Sequence, residues 1–154
     1  MLRRTFAAAA VGWAASLPLA AWIAGGVHPF SLPYAAAVAI YGTGAWICHQ
    51  RPDRSFYLWA MQMPVCARCT GVYLGGALAA LAWCVAILRG RAGGASTWSA
   101  RQWRLAFAIA ALPTLLTLVA EWTGIASMSN TVRAIAGVPI GAAIVWTVLR
   151  AEVN

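Results

Sequence analysis

Five runs of the sequence, residues 6–27, 34–47, 72–88, 105–120 and 134–149, hold no charged side chain. A helix that crosses a bilayer needs roughly 20 predominantly apolar residues, and in hydrocarbon every backbone polar group must be satisfied within the protein. These runs therefore predict an all-α, polytopic membrane helical bundle. It is a single integral membrane domain over residues 1–154, with about four transmembrane helices. The second run is short for a crossing and reaches the lower limit only by borrowing flanking residues. The composition agrees: 62% of the residues are hydrophobic and 9% charged, against about 25% charged in soluble domains.

The net charge of +8 comes from eleven arginines, with no lysine, against three acids. The arginines lie almost wholly between the apolar runs, the distribution of interfacial anchors to anionic lipid headgroups. No aromatic and basic platform or groove-reading helix is visible, so nucleic acid is not an expected partner. Arg3 and Arg4 before the first run resemble the start of a signal peptide. That run exceeds the roughly 7–15 residues of a cleaved apolar region, however, so it reads as a retained helix that Pro18 can kink. His28, beside Pro29, reads as a solvated turn residue. The glycine-containing stretch 89–104 reads as an exposed loop. With the N-terminus inside, six arginines fall inside and five outside, which leaves the side of the motif described next open. The expected location is the inner or plasma membrane of a prokaryote.

Polar chemistry is concentrated in residues 48–71, which hold three of the four cysteines, one of the two histidines and three arginines. Ionisable groups near a bilayer are costly and seldom idle. The apolar insert 56–65 between the two halves of this stretch is too short to cross, so it is expected to lie in the interface or to dip in and return. That places the motif in a re-entrant or interfacial connection between the second and third helices. Cys66-Ala67-Arg68-Cys69 is a C-x-x-C, and Pro64 before it and the apolar run after Gly71 put it at a helix start. There the helix dipole favours a thiolate.

Two chemistries use such a pair. In the first, Cys48 and His49 join Cys66 and Cys69 as ligands of tetrahedral zinc or another transition metal. Neighbouring ligands at 48 and 49 need non-helical backbone, which Pro52 favours, and Gln50, Asp53 and Arg54 are candidates to orient them. In the second, Cys66 or Cys69 attacks a disulfide, Cys48 resolves it and a quinone takes the electrons. Cys84, alone in an apolar run, reads as a small buried hydrophobe.

A second polar group lies at residues 121–133. Ser129, Arg133, Gly137 and Gly141 recur every four residues and share one helix face. Gly137-x-x-x-Gly141 and Gly71-x-x-x-Gly75 are small surfaces on which two helices can meet. Their meeting brings Glu121, Asn130 and Arg133 beside the cysteine motif. The plainer role of these residues is helix-end anchoring and a Glu121–Arg133 salt bridge.

The stretch Cys48-His49-Gln50-x-Pro52-x-Arg54-Ser55-Phe56, with Pro64-Val65-Cys66-Ala67-Arg68-Cys69-Thr70-Gly71-x-Tyr73-x-Gly75, resembles the signature of the small membrane proteins grouped as domain of unknown function 2085. Ser129-Asn130-x-x-Arg133-x-x-x-Gly137 resembles that family's second motif. Glu121 stands where the resemblance leads one to expect aspartate, and Asp53 where glutamate is frequent. The resemblance covers about residues 40–145. It implies a polytopic membrane protein with a shared polar site, and it names no substrate.

The leading functional expectation is a Cys/His metal site at a membrane face, built from Cys48, His49, Cys66 and Cys69. If the metal is catalytic, water replaces one protein ligand, and Arg54, Arg68 and Arg133 suit an anionic substrate such as a lipid phosphate. Glu121 and Asn130 complete the candidate catalytic set. The alternative is a quinone-linked thiol–disulfide oxidoreductase. The third reading is a lipid or small-ion transporter.

Overall fold

A computed structural model describes residues 1–26, 31–90 and 98–150. The expected turn at His28 and the centre of the glycine-containing linker lie outside these. The described residues form five α-helices: α1 (Leu2–Gly26), α2 (Leu32–Ile47), α3 (Ala67–Leu88), α4 (Ala100–Trp122) and α5 (Asn130–Arg150). Among the described residues, α1, α3, α4 and α5 are long and apolar enough to cross a membrane. Helix α2 has 16 residues, about 24 Å at 1.5 Å per residue and short of the roughly 30 Å hydrocarbon core. The chain is an all-α membrane bundle with one small sheet.

The helix starts follow local rules. Ser31 caps α2, accepting from the backbone N–H of Tyr34, with Pro33 in the first turn. Ser99 and Gln102 form a reciprocal capping box that starts α4, satisfying donors the helix itself cannot. No residue of α4 is fully buried. Leu105, Ile109, Leu112 and Leu116 on it are exposed, which in a helix this apolar is the face lipid covers.

Helices α3 and α5 run parallel in close contact. A β-carbon on Gly71 or Gly75 would collide with the backbone of Ala134 or Val138, and one on Gly137 or Gly141 with the carbonyls of Arg68 or Val72. The two small surfaces expected from the sequence therefore meet. The absence of side chains is what lets the backbones approach, the usual device where lipid offers no hydrophobic drive to association. Helix α1 packs on the other side of α3, with Ala7 near Ala80 and Trp83 at one end. Farther along, Trp13 meets Tyr73 edge-on at 5.9 Å between ring centroids.

The interfacial segment expected between the second and third helices takes the form of a β-hairpin, β1 (Ser55–Leu58) and β2 (Met61–Cys66). Ser55 pairs with Cys66 and Leu58 with Met61. The ladder satisfies backbone groups that an irregular loop at this depth would leave exposed. Trp59 and Ala60, at φ of 51° and 62°, make the turn. The left-handed pair matches the twist of a two-residue hairpin, although neither residue is the glycine or asparagine usually found there. Met63 and Val65 of the hairpin bury against Leu17 and Ala21 of α1. Helix α2 closes the other side at Gly44, where a β-carbon would meet the Pro64 carbonyl.

Candidate metal centre and arginine cluster

Cys48 follows the last turn of α2 and is buried. Its backbone is extended, at φ −146° and ψ 139°. Gln50 turns the chain immediately afterwards at φ 45°. Its side chain donates to the carbonyls of Tyr41 at 2.8 Å and Pro64 at 2.6 Å, while its own carbonyl accepts from Gln62 Nε2 at 2.6 Å. A left-handed non-glycine residue is strained, and these bonds hold it there. The result points Cys48 at the start of α3, where its Sγ accepts from the Cys66 N–H at 3.1 Å.

Cys66 caps α3 and Cys69 stands one turn on, with their sulfurs 3.5 Å apart. The sulfurs of Cys48, Cys66 and Cys69 all lie within 4.8 Å of one another. The Cys66 thiol is pulled from 9.0 down to about 5. The hydrogen bond from Cys69 is the main cause, working against burial, and the N–H groups of Cys69 and Arg68 and the Cys48 side chain add to it. This environment favours the thiolate form of Cys66. A cavity of about 260 Å³ adjoins the cluster, lined among others by Leu17, Phe56, Met63, Thr70 and Tyr73. Of these, Leu17, Phe56, Met63 and Tyr73 also pack in the cluster that holds the three cysteines.

His49 is exposed and is not in the thiol group. The cause is local: on extended backbone successive side chains point to opposite faces, so burying Cys48 turns His49 outward. Cys84 is partly buried against the Ala7–Trp83 cluster, away from the other three.

The arginines converge on a different point. Glu121, near the end of α4, has a side chain only 4% exposed and accepts from Arg133 Nε at 2.6 Å and Arg68 Nη2 at 3.2 Å. Arg54 Nη1 lies 4.0 Å from the same carboxylate. Arg133 also donates to Asn130 Oδ1 at 2.8 Å, and Asn130 Nδ2 donates to the Ser55 carbonyl at 2.9 Å. Arg68 reaches Thr117 at 3.3 Å. Glu121, Asn130 and Arg133 thus sit beside the cysteine motif, as the glycine surfaces imply, and the Glu121–Arg133 salt bridge is formed as well. Arg68 turns toward α4 while Cys66 and Cys69 pack toward α1 and the hairpin. Asp53 is exposed and pairs with Arg51 at 3.3 Å.

The model of the family described as "predicted membrane protein (DUF2085)" matches residues 48–147, which begins at Cys48 and takes in both clusters. The chain belongs to the DUF2085 family. Two archaeal relatives share shorter stretches with this DUF2085 protein. The uncharacterized protein MJ1492 of Methanocaldococcus jannaschii is 46% identical over 39 residues, 25% of each chain. An uncharacterized protein of Methanothermobacter thermautotrophicus is 53% identical over 30 residues, 20% of this chain and 27% of its own. The chain thus spans about a quarter of the length of these curated relatives. No solved structure gives a significant match.

Proposed function

We propose that Cys48, Cys66 and Cys69 hold a zinc-like metal ion at one membrane face, in the plasma membrane of a prokaryotic cell. The observation that carries this is the convergence of three sulfurs from the end of α2 and the start of α3 to within 4.8 Å. A tetrahedral zinc with bonds of about 2.3 Å puts its sulfurs about 3.8 Å apart, so small adjustments close the site. Thiolate ligands also suit other soft-binding transition metals. A metal ligand must be deprotonated, and the lowered pKa of Cys66 favours that form.

No fourth His, Cys, Asp or Glu joins the group among the described residues, and three such ligands with one position for water or substrate is the catalytic rather than the structural pattern of zinc. A metal held by Cys48, Cys66 and Cys69 would supply Lewis-acid chemistry, and Arg54, Arg68 and Arg133 would draw an anionic, lipid-type substrate to this face. Metal analysis of the purified protein tests the reading. One equivalent of metal, with thiols titratable only after chelation, supports it; metal-free protein with freely titratable thiols ends it.

One observation favours a second reading, a quinone-linked thiol oxidoreductase. The apolar cavity lined by Met63, Thr70 and Tyr73, whose Met63 and Tyr73 also pack in the cluster with Cys66 and Cys69, is of a size to take a quinone ring. The two thiols would form a disulfide and pass two electrons and two protons to the quinone, giving a hydroquinone. Metal-free protein with a bridge that dithiothreitol opens selects this reading.

A further inference from the structure

Arg54, Arg68 and Arg133 bring three positive charges to the single carboxylate of Glu121, so the cluster carries two that Glu121 does not neutralise. Asp53 gives little relief. It lies 3.5 Å from Arg54, is 57% exposed and is shared with Arg51. The side chains of Arg68 and Arg133 are only 16% and 11% exposed, where solvent screens little and an uncompensated charge is expensive. The Nε of Arg68 is buried and makes no hydrogen bond, and that of Arg54 makes none either, its one charged neighbour being Asp53 Oδ2 at 3.5 Å. A knot built only to tie α3, α4 and α5 together needs Arg68 and Arg133 on Glu121; the third arginine, Arg54, raises its energy unless something negative joins it.

The helix ends around the cluster add net positive charge, two starts against the single end of α4. Parallel α3 and α5 both begin at this end, at Ala67 and Asn130, and each helix start adds roughly half a positive charge. The end of α4 brings the carboxylate that spaces the three guanidinium groups.

We propose that Arg54, Arg68 and Arg133 form a binding site for a phosphate monoester dianion. Guanidinium forks match phosphate oxygens in geometry. A monoester carries about −1.5 to −2 at neutral pH, which meets the excess of the cluster; a diester, with one charge, leaves part of it unanswered. Arg54, whose side chain is 31% exposed, is the outer arm that reaches an incoming ligand, and Arg68 and Arg133 are the inner pair held in place by Glu121. Basic pockets of this kind between membrane helices take lipid headgroups; free phosphate offers the same chemistry. This rests on the anionic-substrate part of the reading above and not on its metal.

The test reconstitutes the full chain in phosphatidylcholine bilayers with phosphatidate or, at matched surface charge, phosphatidylglycerol. Lipid retained through purification is measured, inorganic phosphate binding is followed by equilibrium dialysis, and metal is assayed in each sample. Retention of phosphatidate about tenfold above phosphatidylglycerol supports the site, and so does saturable inorganic phosphate without phosphatidate retention, which assigns it to the free anion. Arg54→Gln should lower binding about tenfold with no fall in the unfolding midpoint, and Arg54→Lys should restore part of the binding. Equal retention of the two lipids with no phosphate binding, or binding indifferent to Arg54→Gln, overturns the proposal. Metal-free protein that still prefers phosphatidate leaves it standing while the metal reading falls, and metal-loaded protein without the preference does the reverse.

Discussion

Gly71 of α3 lies against the carbonyl of Ala134 on α5 with no space for a β-carbon between them. That contact sets the spacing of the two helices that carry Arg68 and Arg133, and so the spacing of the guanidinium groups on Glu121. Gly71→Ala should destabilise the protein by at least about 2 kcal/mol, because backbone rather than a side chain must move. Gly12→Ala, where a β-carbon meets nothing within 4 Å, should be neutral or gain up to about 1 kcal/mol of helix propensity. Thermal unfolding in detergent compares the two.

Metal content should follow the thiol cluster and not the histidine. Cys48→Ser, Cys66→Ser and Cys69→Ser should each lose stoichiometric metal. His49→Ala, at an exposed position turned away from the sulfurs, and Cys84→Ser, packed against Trp83, should retain it. Elemental analysis of the purified variants checks this.

Glu121→Gln leaves Arg68 and Arg133 without their carboxylate and Arg54 with only the exposed Asp53. Removing one partner of a buried ion pair costs about 3–5 kcal/mol, and the unfolding midpoint should fall accordingly. Glu121→Asp keeps the charge and should lose much less. An unaltered midpoint for Glu121→Gln would mean that the cluster is not a stabilising knot.

The lowered Cys66 pKa gives a pH signature in chelator-treated protein. Between about 5 and 9.0 the folded thiol is ionised while the unfolded one holds its proton. The unfolded state therefore binds more protons, and stability rises with pH across that window. The contribution is complete above the unfolded value and is lost as pH falls through the folded one. Alkylation of Cys66 should reach its plateau well below pH 8, falling off near 5, whereas an ordinary thiol is still rising at pH 8. A midpoint near 9 would remove the case for a preformed thiolate.

Ala60→Gly should stabilise the hairpin by about 1 kcal/mol, since alanine at φ 62° pays a left-handed penalty that glycine does not. A loss of stability instead would show that the alanine side chain makes a contact outweighing its backbone strain.

The uncharged runs were sufficient by themselves to determine a helical membrane bundle, because a bilayer allows few ways to satisfy a backbone. The sequence also located both clusters: Pro64 and the run after Gly71 put Cys66 at a helix start, and four-residue glycine spacing identified the faces on which α3 and α5 meet. What the tertiary structure alone decided was which way each side chain points. Period and spacing gave no warning of the hairpin, whose Trp59-Ala60 turn lacks the residues that mark one. Nor did adjacency in sequence reveal that extended backbone at Cys48 sends His49 outward, or that one buried carboxylate draws Arg54, Arg68 and Arg133 together from three segments. Such convergence depends on packing between segments distant along the chain, while local patterning constrains only the periodicity within each.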